Sequence, residues 1–364
     1  MAEYAARQRS RFSSIEAARA IAALGVVISH AALITAEPRY WGVMPFGGAL
    51  KNLAAGVDFF FVLSGFIITT VHWDDVGKPD RLGHYAKRRF LRIFPLYWSV
   101  LIPIAIVYQI KPSFGVPWQH DPYNLFLSFF LLPNPDLPIL GVAWTLTFEM
   151  FFYLMFGLAI ACGTHWVKVI VAWGIAIILA QIVYADIPFP FSFFLNARNL
   201  EFLVGMACGI YLRNHNAPRP PVFLSVGIAA FAAGIAFVPE FASEQDLEIV
   251  STLVFGTASA LMVLGLIGVE RVGWFKRCEQ AFLAGGACSY AIYLVHPTAE
   301  SFLARPAMAL GQGLSAETTA TLLALGGAAA GIAAHYIIEL PATTCVRRIL
   351  DFAPTGKPVG TRAP

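Results

Sequence analysis

SIEAARAIAALGVVISHAALITA, residues 14–36, is an apolar run that carries Arg19 and His30 within it. A helical bilayer crossing needs roughly 20 predominantly apolar residues, so the run predicts a transmembrane helix. A charged arginine in such a helix costs at least about 2.5 kcal/mol, which makes an intramembrane ionisable residue a functional candidate. Arg19 and His30 are eleven residues apart. At about 100° per residue that is three turns plus roughly 20°, so they share one face, about 16 Å apart along the axis. A cation near one membrane surface and a titratable base deeper in the helix outline a two-station site. The preceding RQRSR resembles the start of a secretory leader. Glu16 and Arg19 at the start of the run, and its length beyond the about 7–15 apolar residues of a leader core, predict a retained segment.

The same pattern extends along the chain. Of 364 residues, 58% are hydrophobic and 13% charged, against about 25% charged in a soluble domain. The sequence therefore predicts an all-α, polytopic membrane protein with the bilayer as a partner and no nucleic acid. About ten transmembrane helices are expected, at 14–36, 52–72, 90–110, 141–162, 166–184, 197–213, 221–239, 248–269, 281–303 and 317–340. Residues 123–132 are too short to cross and predict a re-entrant or interfacial piece. Lysine and arginine placement supports this count. Arg7, Arg9, Arg11, Arg81, Lys87, Arg88, Arg89, Arg213, Arg219, Arg271, Lys276, Arg277, Arg347 and Arg348 fall on one side, while Arg39, Lys51, Lys111 and Arg305 fall on the other. Cytoplasmic loops carry the excess of basic residues, so both termini are expected in the cytosol. Cys162, Cys208, Cys278, Cys288 and Cys345 form no C-x-x-C pair and read as packing residues, and no metal site is expected.

Several polar groups fall inside expected spans: Asp58 in GVDFFFVLSGF, Glu149 in AWTLTFEMFFY, Arg198 and Glu201 at the start of the sixth, His296 in SYAIYLVHP and Glu339 in IIELP. Unpaired charges are costly in a bilayer, so these are expected to converge on a polar intramembrane cavity or to pair across helices. Arg89 and Arg92, three apart in KRRFLRIFPLYW, share a helical face. They read either as membrane anchors or as a fork for a phosphorylated ligand. A neutral His30 oriented by a carboxylate suits the removal of a hydroxyl proton, with Glu149 favoured over Asp58 as the orienter. Asp58 reads equally as a structural partner of an arginine, and His296 as a cap beside Pro297 or an acceptor-binding group. Trp144 and its aromatic neighbours read as an interfacial belt or as sugar-stacking faces. Gly205 and Gly209 form a G-x-x-x-G that predicts close helix packing.

In order, Arg19-x10-His30, GVDFFFVLSGF, the R-x-x-R of RRFLRIFPLYW, AWTLTFEMFFY, SYAIYLVHP and the late ELP at 339–341 resemble the acyltransferase 3 family of integral-membrane O-acyltransferases, over about residues 14–342. The chain is similar to that family's short, stand-alone subgroup that decorates exopolysaccharides. The resemblance implies transfer of an acyl group, usually acetyl, from cytosolic acetyl-CoA or another acyl-CoA to a hydroxyl of an extracytoplasmic glycan or lipid-linked sugar. It implies a catalytic His30 with Glu149, acyl-CoA binding by Arg19, Arg89 and Arg92, and a bacterial inner-membrane location. Asp58, Trp144, Arg198, His296 and Glu339 are then acceptor-binding or structural polar residues. The implied organisation is a basic cytosolic segment at 1–13, a transmembrane acyltransferase domain at 14–342 and a partly disordered cytosolic tail at 343–364. Direct transfer and an acyl-His30 intermediate both remain open. The alternative function is a transporter or flippase with a His/Arg/carboxylate relay, for which inverted repeats would speak.

Overall fold

A computed structural model describes residues 12–111, 113–183, 187–241, 247–310 and 314–352. Among the described residues the chain is helical, with no strand. The principal helices are α1 (Ser13–Ala36), α2 (Gly56–His72), α3 (Leu82–Ile110), α4 (Pro122–Phe130), α5 (Trp144–Cys162), α6 (Trp166–Val183), α7 (Asn199–Asn214), α8 (Pro220–Phe241), α9 (Leu247–Arg271), α10 (Glu279–Leu310) and α11 (Ala316–Ala334). α11 continues through a π-helical turn, His335–Glu339, into α12 (Leu340–Phe352). The tail beyond, expected to be disordered, and the basic stretch 1–11 lie outside the described residues.

Among the described residues, seven segments are long and apolar enough to cross a membrane: Ser13–Ala36, Lys51–Asp75, Pro79–Ile110, Gly141–Cys162, Pro220–Val238, Glu248–Arg271 and Ala316–Asp351. The chain is thus an all-α polytopic membrane protein with seven candidate spans, against the ten expected. The difference lies in α6, α7 and α10. α6 is apolar over Lys168–Val183 and ends at the limit of the described residues, and α7 has 16 residues. α10 has 32 residues, but Gly285, Gly286, Ser289, Tyr290, Tyr293 and His296 dilute its hydropathy. The stretch expected to be too short to cross is α4, which stops where Leu131 takes the left-handed conformation (φ 54°).

Small residues set which helices touch. α1 packs against α10, with Ala23 and Val27 meeting Cys288 and Ile292, and Ala31 meeting Ala304. A Cβ at Gly286 would lie 2.7 Å from the Cα of Glu16, so the two backbones are in direct contact there. Lipid tails are as apolar as leucine, so close van der Waals packing between small residues, rather than apolar burial, drives such contacts. α2 and α7 approach as closely. A Cβ at Gly205 would fall 1.8 Å from the carbonyl oxygen of Val62, and one at Gly65 would fall 2.0 Å from that of Phe202. The G-x-x-x-G reading therefore holds, and its partner is Gly65. Replacing Gly205 by valine is expected to destabilise the protein by roughly 1–3 kcal/mol or more, because the clash is with backbone. A clear drop in unfolding temperature in detergent checks this; wild-type stability would contradict the contact.

The start of α1 is tied down by α9. The Glu270 carboxylate accepts from the Ser13 amide (2.7 Å) and hydroxyl (2.9 Å) and from the Ser14 amide (3.1 Å) and hydroxyl (2.5 Å). A carboxylate at a helix N-terminus satisfies otherwise unpaired amides and opposes the helix dipole. It fixes the axial position of α1, and with it the depths of Arg19 and His30.

Candidate active site

The first polar cluster gathers near the end of the bundle where α1 begins. Arg89 and Arg92 project from one face of α3. The Arg92 guanidinium lies 5.3 Å over the Tyr290 ring and 4.0 Å from the Glu339 carboxylate. Glu339 also accepts from His335 Nδ1 at 2.7 Å, four residues earlier. Arg89 lies over Tyr153 (5.4 Å) and Tyr85 (5.9 Å). It donates to His72 Nε2 at 3.4 Å, and His72 Nδ1 bonds Asp75 at 2.7 Å. Arg19 pairs with Glu16 at 2.9 Å and lies within Coulombic reach of Arg92, Glu149 and Tyr153. So the structure brings Arg19 and the R-x-x-R pair to one region.

Two features of this cluster matter chemically. Among the described residues the buried Nε–H of Arg89 has no hydrogen-bond partner, although a buried donor left unpaired costs about 1–3 kcal/mol. Arg19 and Arg92 repel one another in a low-dielectric setting, which an anion placed between them would relieve. Guanidinium groups bind phosphate through forked, charge-assisted bonds.

Glu149 belongs to this cluster. Its Oε1 accepts from Ser64 Oγ at 3.1 Å and from the hydroxyl of Tyr153. The expectation that it orients His30 finds no contact between the two. Ser64 and Tyr153 take its hydrogen bonds because Tyr153 follows four residues later on the same helical face.

The second station is a histidine pair. His30 Nδ1 lies 2.7 Å from His296 Nε2, and His296 Nδ1 lies 3.0 Å from the carbonyl oxygen of Ile292. His296 is fully buried and His30 partly so. The small-residue contact between α1 and α10 allows two imidazoles to meet edge to edge. Of the two readings of His296, neither anticipated a bond to His30.

Asp58, Glu201, Arg198 and Trp144 form a third group, where α2 and α7 begin. Arg198 lies 5.2 Å over the Trp144 ring and 3.6 Å from Glu248. Asp58 and Glu201 lie in one electrostatic neighbourhood with Arg198, and among the described residues neither buried oxygen of Glu201 has a hydrogen-bond partner. Sequence reasoning also missed His72 and His335. The i, i+4 spacing of His335 and Glu339 was the available signal; nothing local marked His72. Glu300, fully buried beside Gly327, was missed as well. Among the described residues, no three His, Cys, Asp or Glu side chains are placed to share a metal ion.

The comparisons with known proteins agree with this architecture. A family model described as an acyltransferase domain, that of acyltransferase 3, matches residues 12–340. The chain is 31% identical over 297 residues to the exopolysaccharide production protein ExoZ of Rhizobium meliloti (strain 1021), covering 79% of this chain and 89% of that one. It is 28% identical over 180 residues to the peptidoglycan O-acetyltransferase OatA of Listeria monocytogenes, covering 44% of this chain and 26% of that one. It is 25% identical over 198 residues to nodulation protein 10 of Rhizobium leguminosarum bv. viciae, covering 45% and 47%. No solved structure matches. The chain belongs to the acyltransferase 3 family of membrane acyltransferases.

Proposed function

We propose that this family member moves an acyl group, acetyl in the simplest case, from acyl-coenzyme A to a hydroxyl of an extracytoplasmic or lipid-linked glycan. An exopolysaccharide is the acceptor class that the name of the Rhizobium meliloti relative favours. The observation that carries the reading is the convergence of Arg19, Arg89 and Arg92, with an unmet donor on Arg89, on the helix that bears His30 about 16 Å further along.

Arg19, Arg89 and Arg92 would hold the phosphates of the coenzyme, which supplies the thioester. With α6, α7 and α10 crossing as well, ten spans would put both termini in the cytosol at a bacterial inner membrane, and the arginine cluster would face the donor pool. The charged end of the donor need not enter the bilayer; the thin arm that carries the thioester would reach inward toward His30. Glu16, Glu149 and Glu339 balance the arginines and hold them apart. His30 accepts the proton of the acceptor hydroxyl as its oxygen attacks the thioester carbonyl. The new C–O bond forms, the C–S bond breaks, and the proton passes from His30 to the departing thiolate. Attack by His30 itself, followed by the hydroxyl, gives the same products in two steps. Asp58, Arg198 and Trp144 would contact the acceptor from the opposite end.

The test is acyl transfer by purified protein in detergent, with radiolabelled acetyl-CoA and the glycan fraction of the producing cell. His30-dependent labelling of glycan and release of free thiol are expected. Neither label nor thiol, together with no binding of the coenzyme, would favour a transporter.

A further inference from the structure

We infer that His296 is a positioning residue that fixes the tautomer of His30, leaving Nε2 of His30 as its proton-accepting atom. This rests on the reading of His30 as the group that takes the hydroxyl proton.

The argument is one of donors and acceptors along a short chain. The Ile292 carbonyl oxygen can only accept, so His296 Nδ1, 3.0 Å away, carries a hydrogen. A neutral imidazole has one N–H, so His296 Nε2 presents a lone pair. That atom lies 2.7 Å from His30 Nδ1, which must therefore donate. His30 in turn has its hydrogen on Nδ1 and its lone pair on Nε2. The ring planes are 15° apart with centroids at 5.0 Å. A separation of 2.7 Å between the nitrogens is closer than ring stacking allows, so the contact is an edge-to-edge N–H···N bond.

The surroundings keep the chain of bonds in this sense. His296 is fully buried, and among the described residues no carboxylate bonds either ring, so nothing nearby favours a second proton on His296. Ile292 lies four residues before His296, so the helix itself supplies the terminal acceptor. Packing of α1 against α10 on either side of the pair, Val27 with Ile292 and Ala31 with Ala304, keeps the two rings together. Orientation of a functional histidine by a bond to its other nitrogen is a general device, and at metal-bound histidines loss of such a partner typically costs about 10–100-fold. Here the orienting group is a second, neutral histidine rather than Glu149. When His30 takes the hydroxyl proton on Nε2, its Nδ1–H remains bonded to the His296 lone pair, which spreads the new positive charge over two rings. The proton then leaves from Nε2 to the thiolate, and both histidines return to their starting tautomers.

Two variants of the full chain test this. His296→Leu removes the acceptor, whereas His296→Gln offers a side-chain carbonyl to the Nδ1–H of His30. His296→Leu is expected to lower turnover by about 100-fold with the donor KM within about twofold. His296→Gln is expected to stay within about tenfold of wild type. Independently, nitrogen NMR of protein labelled with 15N-histidine is expected to show His30 protonated at Nδ1 in the wild type and in the glutamine variant. A mixture of tautomers is expected in the leucine variant. Full turnover in His296→Leu, or a wild-type His30 protonated at Nε2, would overturn the inference. If the leucine variant does not fold, the wild-type and glutamine spectra decide. Because the spectra need no turnover, an inactive wild-type protein would count against the proposed function and leave this inference to be judged by the tautomer alone.

Discussion

Replacing His30 by alanine is expected to lower acyl transfer by about three orders of magnitude while acyl-coenzyme A binding stays within a few-fold of wild type. General base catalysis by a positioned side chain contributes roughly 10²–10⁴-fold. His30 is separated from the arginine cluster by about three helical turns, so its removal leaves the arginines proposed to hold phosphate in place. The substitution strips His296 Nε2 of its bond, which costs about 1–3 kcal/mol and lowers the unfolding temperature modestly. Turnover with labelled acetyl-CoA, beside binding of a non-transferable coenzyme analogue, makes the check. Loss of binding together with loss of turnover would contradict the separation of the two stations. Retained turnover would remove His30 from the chemistry.

Arg92→Ala and Arg89→Ala are expected to act on the donor instead. A hydrogen bond to a charged group contributes about 1.5–3 kcal/mol, so each loss should weaken coenzyme binding by roughly 10- to 100-fold. Arg92→Ala carries a second cost. It leaves Glu339 with His335 alone and removes the cation over Tyr290. Arg92→Lys keeps the charge but not the planar fork, and is expected to recover only part of the affinity. Isothermal titration with the coenzyme, and the salt dependence of its binding, measure this. Unchanged affinity in both alanine variants would assign the pair to membrane anchoring, the bland reading of a basic helix start.

The legible part of this protein was what repeats locally. Hydropathy marks the helices, and helical periodicity puts Arg19 with His30 and Arg89 with Arg92 on common faces. Gly205 with Gly209 announces a close contact. The count of crossings was less legible. α7 and α10 carry Glu201, His296 and Glu300, and the polar residues that make a helix interesting also erase its hydropathy.

Pairing across helices had no local trace. His30 and His296 are 266 residues apart, and which helix faces α1 depends on small residues such as Ala23, Gly286 and Cys288 that look ordinary in sequence. Counting residues along α5 set Glu149 near the depth of His30, yet the structure places it in the arginine cluster, bonded to Ser64 and Tyr153. Counting along one helix leaves its tilt and offset against the others open. Azimuth and neighbour depend on how all the helices pack at once. The sequence by itself therefore determined the class of fold and the inventory of charged groups. Only the tertiary structure decided that His296, rather than Glu149, lies beside Nδ1 of His30.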